Sequence, residues 1–113
     1  MGYPHKEEAM TFKGNAKLSH HARQRSAQSN LLAHDLELVR RYGVLEHRTG
    51  VLFYFVRRRD VHRYRAVEPR LARLEGVVMV QSLDGVVITV YRNRQALRQI
   101  RRKPKARMWP VGA

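Results

Sequence analysis

Two runs of apolar residues, "VVMVQSL" and "VVITVYR", sit on either side of Asp84 and Gly85, and this arrangement leaves few folds open. β-Branched residues in runs of this length favour extended chain, and an Asp-Gly pair supplies the positive φ angles that a two-residue hairpin turn requires. An antiparallel hairpin over residues 77–92 is the expected result. A second pair of runs, "VLEHR" and "VLFYFVRR", flanks Thr49 and Gly50 and predicts another hairpin. In its second strand Val51, Phe53 and Phe55 share one face while Leu52, Tyr54 and Val56 share the other, so both faces are expected to be partly covered.

Helical spacing precedes the strands. In "LSHHARQRSAQ" Ser19 is placed to cap a short helix, and in "SNLLAHDLELVRRYG" Ser29 or Asn30 is placed to cap a second. There Leu31, Leu32, Asp35, Leu36, Leu38 and Val39 recur at helical spacing, and Gly43 stops the helix after Arg40 and Arg41. The polar stretch "RRRDVHRYRAVEPRLARLEG" has room for a short helix after Pro69. The last segment begins helically, with Ala96, Leu97 and Ile100 on one side, and frays after Pro104. Residues 1–17 mix charge, Gly and Pro without a period and read as a flexible arm, Met10 to Phe12 being its one hint of an edge strand. Residues 104–113 read as a flexible tail. Between them, residues 18–103 form a single domain, since 113 residues suffice for one core. Helices first and strands afterwards predict an α+β fold: two N-terminal helices packed on one face of a four-stranded antiparallel sheet, followed by a basic C-terminal helix or tail.

Charge narrows the function. The formal net charge is +14, which makes a compact chain repel itself unless a polyanion or an acidic partner screens it. The five lysines lie only in the two terminal regions, and the rest of the 23 basic residues are arginine, whose planar fork grips phosphate through two bonds and stacks on bases. Nucleic acid is the partner this composition points to. The absence of Cys excludes disulfides, thiolate zinc sites and thiol catalysis. The apolar runs are too short to span a membrane and no signal-peptide core is seen, so a cytoplasmic protein without membrane contact is expected.

"SHHARQR" at the start of the first helix, Gly43 at the end of the second, "VLFYFV" in the middle and "ITVYRNR" closing the last strand resemble the RelE/ParE toxin superfamily, in its BrnT-like branch or a neighbouring uncharacterised family. The resemblance covers roughly residues 18–94. It implies a RelE-like domain, a metal-independent ribonuclease toxin of a toxin-antitoxin pair, a protein antitoxin as partner, and RNA, free or ribosome-bound, as substrate.

Cleavage of RNA by its own 2′-hydroxyl needs a proton acceptor, a proton donor and cations for the charge that builds on the phosphorus. His21 and Arg25 lie four apart on the first helix, as His20 and Arg23 lie three apart, so each His shares a face with an Arg that favours its neutral form. His21, followed by Ala22, matches the superfamily pattern best; a solvated helix whose first His serves the cap is the competing reading. Tyr91 is expected on the face of the last strand that holds Val87 and Thr89, looking out with Asn93 onto an open sheet surface, with Tyr54 able to join it; a buried Tyr with its hydroxyl satisfied by backbone is the alternative. The candidate catalytic set is His21, Arg23, Tyr54, Tyr91 and Arg92. Candidate nucleic-acid contacts are Arg25, Arg57, Arg58, Arg59, Arg63, Arg94, Arg98, Arg101 and Arg102, with residues 57–59 and 92–94 converging on one rim if both hairpins open on the same side. His62 and Tyr64 lie within the first of these runs. His20 and His21 are adjacent, a spacing that rarely lets both bind one ion, and no metal or other cofactor is expected. Two functions follow: a metal-independent ribonuclease, or a non-catalytic RNA-binding or ribosome-associated module.

Overall fold

The computed structural model describes residues 17–105. Its centre is a five-stranded sheet made of β1 (Lys17–Leu18), β2 (Val44–Arg48), β3 (Val51–Phe55), β4 (Val77–Gln81) and β5 (Val86–Arg92), in the order β1-β5-β4-β3-β2. β1 runs parallel to β5 and every other pairing is antiparallel. The α+β class expected from the sequence holds, but the four-stranded antiparallel sheet does not, because Lys17 and Leu18 add a parallel edge strand. Two residues are too few to show alternation, so "KL" carries no strand signal of its own. The strand expected at Met10 to Phe12 lies outside the described residues.

Ser19 caps α1 (His20–Gln28) by accepting the Ala22 amide at 3.0 Å, and the same Oγ donates to the Ile88 carbonyl at 2.8 Å. One hydroxyl thus starts the helix and ties it to β5. α2 (Ala33–Tyr42) has Leu32 as its N-cap, not Ser29 or Asn30. Asn30 instead takes a left-handed φ of 58° that reverses the chain between the two helices, a conformation Asn tolerates better than most residues. The Leu32 amide is satisfied by the Asp35 carboxylate at 2.9 Å. A third helix, α3 (Arg58–Arg63), was not expected from so polar a segment; the 3-10 turn at Pro69–Leu74 was. α4 (Ala96–Arg102) follows β5.

The hairpin turns differ in detail from one another. Thr49 and Gly50 both have positive φ, as a two-residue turn demands. At the other hairpin only Gly85 is positive, at 98°, and the Ser82 amide bonds the Val86 carbonyl at 2.8 Å, so the loop is longer than the two residues expected. Along β5 the pairing Val80↔Thr89 is followed by Gln81↔Val87, which leaves Ile88 as a bulge. That extra residue moves Val87 to the face opposite Tyr91, correcting the shared face expected from simple alternation.

Two cores result. Under α1, α2 and the 3-10 turn lie Leu52, Tyr54, Val56, Val77, Met79, Val87 and Val90, packed on Ala22, Leu36, Leu38, Val39, Leu71 and Leu74. On the other face Phe53, Phe55, Val78 and Val80 receive Ala96 and Ile100 from α4, with Tyr91 and Leu97 packed alongside. The open sheet surface expected there is therefore roofed by α4. Gly43 is needed for space, not for conformation: its φ is −76°, yet a Cβ would stand 2.6 Å from the Val39 carbonyl oxygen and 2.8 Å from that of Phe55.

Two outcomes are expected. Ile100 is 1% exposed, so Ile100→Ala should cost roughly 2–5 kcal/mol in denaturant unfolding if α4 is a structural layer. Asp35 is fully buried; burial alone would raise its pKa, but the Arg70 hydrogen bond at 2.7 Å, the Leu32 amide and the charges of Arg70 and Arg73 outweigh it and hold the carboxyl below its ordinary value. Its contribution is complete above about pH 4, the unfolded value, and drains away as pH falls through the lower folded value. Asp35→Asn should be less stable at neutral pH and should lack that part of the acid slope, as pH-dependent melting would show.

Candidate nucleic-acid interface

The pairings Val44↔Phe55, Phe55↔Val78 and Val77↔Arg92 bring the start of β2, the end of β3, the start of β4 and the end of β5 to one end of the sheet. Both hairpin turns lie at the other end. The Arg runs that follow β3 and β5 therefore leave from the same open end, as the rim argument requires. Backbone bonds stitch them together: Gly76 donates to the Val56 carbonyl at 2.9 Å and Asn93 donates to the Gly76 carbonyl at 2.8 Å. Gly43, whose site abuts the Phe55 carbonyl, brings the C-terminus of α2 to this end as well.

Within this rim the arginines divide into two kinds. Arg57 grips both oxygens of buried Asp60, Nε to Oδ2 at 3.0 Å and Nη2 to Oδ1 at 2.8 Å, while its amide bonds Oδ2 at 2.9 Å. The Asp60 hydrogen bond raises the Arg57 pKa further. Arg57 is thus the clasp that starts α3. Arg92 Nη1 donates to the Arg73 carbonyl at 3.0 Å, and Arg94 reaches Glu75 only at 3.9 Å. Arg58, Arg59 and Arg63 are exposed and form no ion pair with a carboxylate among the described residues. Arg58 and Arg59 occupy the first turn of α3, where a helix dipole disfavours cations, so neither is there for the helix's benefit.

The other candidates lie elsewhere. His21, Arg23 and Arg25 are exposed on α1, which packs over β5 through Ala22 and Ser26. Tyr54 is 6% exposed in the core beneath the helices, with the buried Arg40 guanidinium 5.4 Å above its ring. Burial pulls the Arg40 pKa below its ordinary value, against the Tyr54 contact and the Glu37 charge. Tyr91 is half-buried on the opposite face of the sheet beside Leu97, and burial raises its phenol pKa, which makes the hydroxyl harder to ionise. Tyr54 and Tyr91 thus stand on different faces, and the expectation that they share one is corrected: the strand pairing alone puts Val78↔Tyr91 on one side and Tyr54↔Met79 on the other. The catalytic set is dispersed among a helix surface, two cores and the rim. Of its members only Arg92 stands with the Arg57 cluster.

α4 carries the basic C-terminal segment away from the rim and across the second face, ending where Pro104 accepts the Thr49 amide at 2.9 Å and Lys105 bridges Arg48. Arg101 is bound there, donating from Nε to Glu46 at 2.8 Å beside Arg48 at 3.0 Å. Arg98 and Arg102 are exposed on the outer surface of this helix, apart from the rim. Arg41 and Tyr42 reach the rim without having been expected there. Their signal was positional: they end the helix whose following strand pairs with the one that feeds the Arg run.

Comparison with protein-family models, with curated proteins and with solved structures finds no match to this chain. No three His, Asp or Glu side chains gather at metal-binding distance among the described residues, and no described helix is long and apolar enough to cross a membrane.

The two kinds of arginine should separate by substitution. Arg57→Ala is expected to lower the thermal midpoint by releasing Asp60, whereas Arg58→Ala and Arg59→Ala should leave stability within about 0.5 kcal/mol. Calorimetry on the three variants checks this.

Proposed function

We propose that this chain is a non-catalytic RNA-binding module that receives a phosphodiester backbone across the open end of its sheet. The observation that carries the reading is the exposed group Arg58, Arg59 and Arg63, which has no carboxylate partner among the described residues while the nearby Asp60 is consumed by Arg57. Charge left uncompensated at a rigid rim is what an incoming polyanion neutralises, releasing its counterions. The dispersal of His21, Tyr54 and Tyr91 favours binding over bond cleavage, because proton transfer requires donor and acceptor at one phosphate.

A ribonuclease toxin of the RelE/ParE, BrnT-like kind, paired with a protein antitoxin, is the second reading. It is favoured by one feature: His20 and Arg23 share an exposed face of α1, a helix fixed to the sheet through Ser19, and His21 is exposed on the same helix. On that reading catalysis belongs to α1, not to the tyrosines.

One experiment separates them. Labelled RNA is incubated with the purified chain in EDTA over a range of salt. The binding reading expects retention without cleavage and a log–log salt slope near −4 to −6, for about six to eight phosphate contacts on a single strand. Metal-free cleavage leaving a cyclic phosphate, lost in His21→Ala, would replace it with the ribonuclease. A slope near zero would remove nucleic acid altogether.

A further inference from the structure

Tyr42 ends α2 and Tyr64 follows α3, so two aromatic rings from separate segments meet at the open end of the sheet. Their centroids lie 4.7 Å apart with the planes inclined by 55°. Each ring carries a guanidinium over it: Arg41 Cζ stands 5.7 Å from the Tyr42 centroid and Arg63 Cζ 5.6 Å from that of Tyr64. Both rings are half-buried against the core beneath the helices, and both arginines are exposed.

Core packing accounts for the inner part of the rings. The two exposed cations stand over those same rings. A guanidinium backed by a ring offers a flat, polarisable surface of fixed positive charge. A nucleobase stacks on such a surface while the adjoining phosphate meets the guanidinium edge. Bare phosphate needs only charge, which Arg58 and Arg59 already supply one helical turn away. Duplex bases are stacked on each other and present no free face.

We propose that Arg41, Tyr42, Arg63 and Tyr64 form a stacking site for unpaired bases, so that the RNA received at this end is single-stranded. The proposal rests on the RNA-binding reading and sharpens it from charge to chemistry. Arg63 and Arg41 supply the plates, Tyr64 and Tyr42 back them, and Arg58 and Arg59 take the flanking phosphates.

The test compares three probes at one salt concentration: an unstructured oligoribonucleotide, the same strand annealed to its complement, and inorganic polyphosphate of matched charge. The unpaired strand should bind at least about fivefold more tightly than either other probe, the scale of one stacked base. In Arg41→Lys and Arg63→Lys, which keep the charge and alter only exposed groups, that preference should vanish while polyphosphate binding stays the same. Tyr64→Phe should retain the preference and Tyr64→Leu should lose it, with circular dichroism showing both folded. Equal affinity for all three probes, or a preference that survives both lysine variants, would overturn the stacking site and leave the basic rim standing. Failure of the wild-type chain to bind even polyphosphate would overturn the rim as well.

Discussion

β3 is buried on both of its faces, and most of the molecule is arranged to make that possible. Leu52 and Tyr54 enter the core beneath α1 and α2, while Phe53 and Phe55 enter the core beneath α4. A one-residue slip of this strand would exchange the two sets and ruin both layers, so its register is strongly specified. Because β3 is fixed, so is the point where the chain leaves it: Val56 is fully buried, and the next residue is Arg57. The position of the basic rim is in this sense a consequence of core packing.

The distribution of charge follows a related logic. The acids that matter to the fold are each held by arginine: Asp35 by Arg70, Asp60 by Arg57, and Glu46 by both Arg48 and Arg101. Apart from Arg48–Glu46, which lies within β2, those pairs join segments distant in sequence or start a helix. With a formal charge of +14, the chain has far more arginine than such duties require. Apart from Arg40, buried over the Tyr54 ring, the surplus is kept out of the core, where a guanidinium is costly to desolvate. It stands in solvent, and part of it gathers where three backbone segments end together. This is the physical basis for separating arginines that hold the protein together from arginines that the fold leaves in solvent, although all look alike in the sequence.

Much of the architecture was legible in advance. The two hairpins, the Ser19 cap, the stop at Gly43, the turn after Pro69 and the apolar side of the last helix are local signals, and each appears where its residues place it. The failures share a cause. α3 is six residues with a first turn of arginines, and only the Arg57–Asp60 clasp, a pairing three residues apart in a polar run, makes it a helix. The role of α4 was hidden because its basic residues outweigh Ala96 and Ile100 in composition, while those two small contacts decide where it lies. The separation of Tyr54 from Tyr91 depends on strand pairing, and the face of Val87 on a bulge at Ile88, neither of which a single strand displays. Convergence of the arginine runs was foreseeable only as a condition on hairpin direction, and Tyr42 escaped notice because its importance lies wholly in what folds beside it.

The shortness of β1 has a bearing on how copies of this protein meet. It shields β5 only at Val86 and Val87, and further along that strand the outer margin has no strand neighbour among the described residues. An uncovered margin invites zipper-like growth from molecule to molecule. Here the kink at Ile88 spoils the straightness that such growth needs, the Ser19 hydroxyl occupies the carbonyl at the kink, and Arg92 closes the strand with a charge that another copy would have to face. A chain this cationic is kept apart from its copies by mutual repulsion, and the crooked margin still stands in their way when salt screens that repulsion.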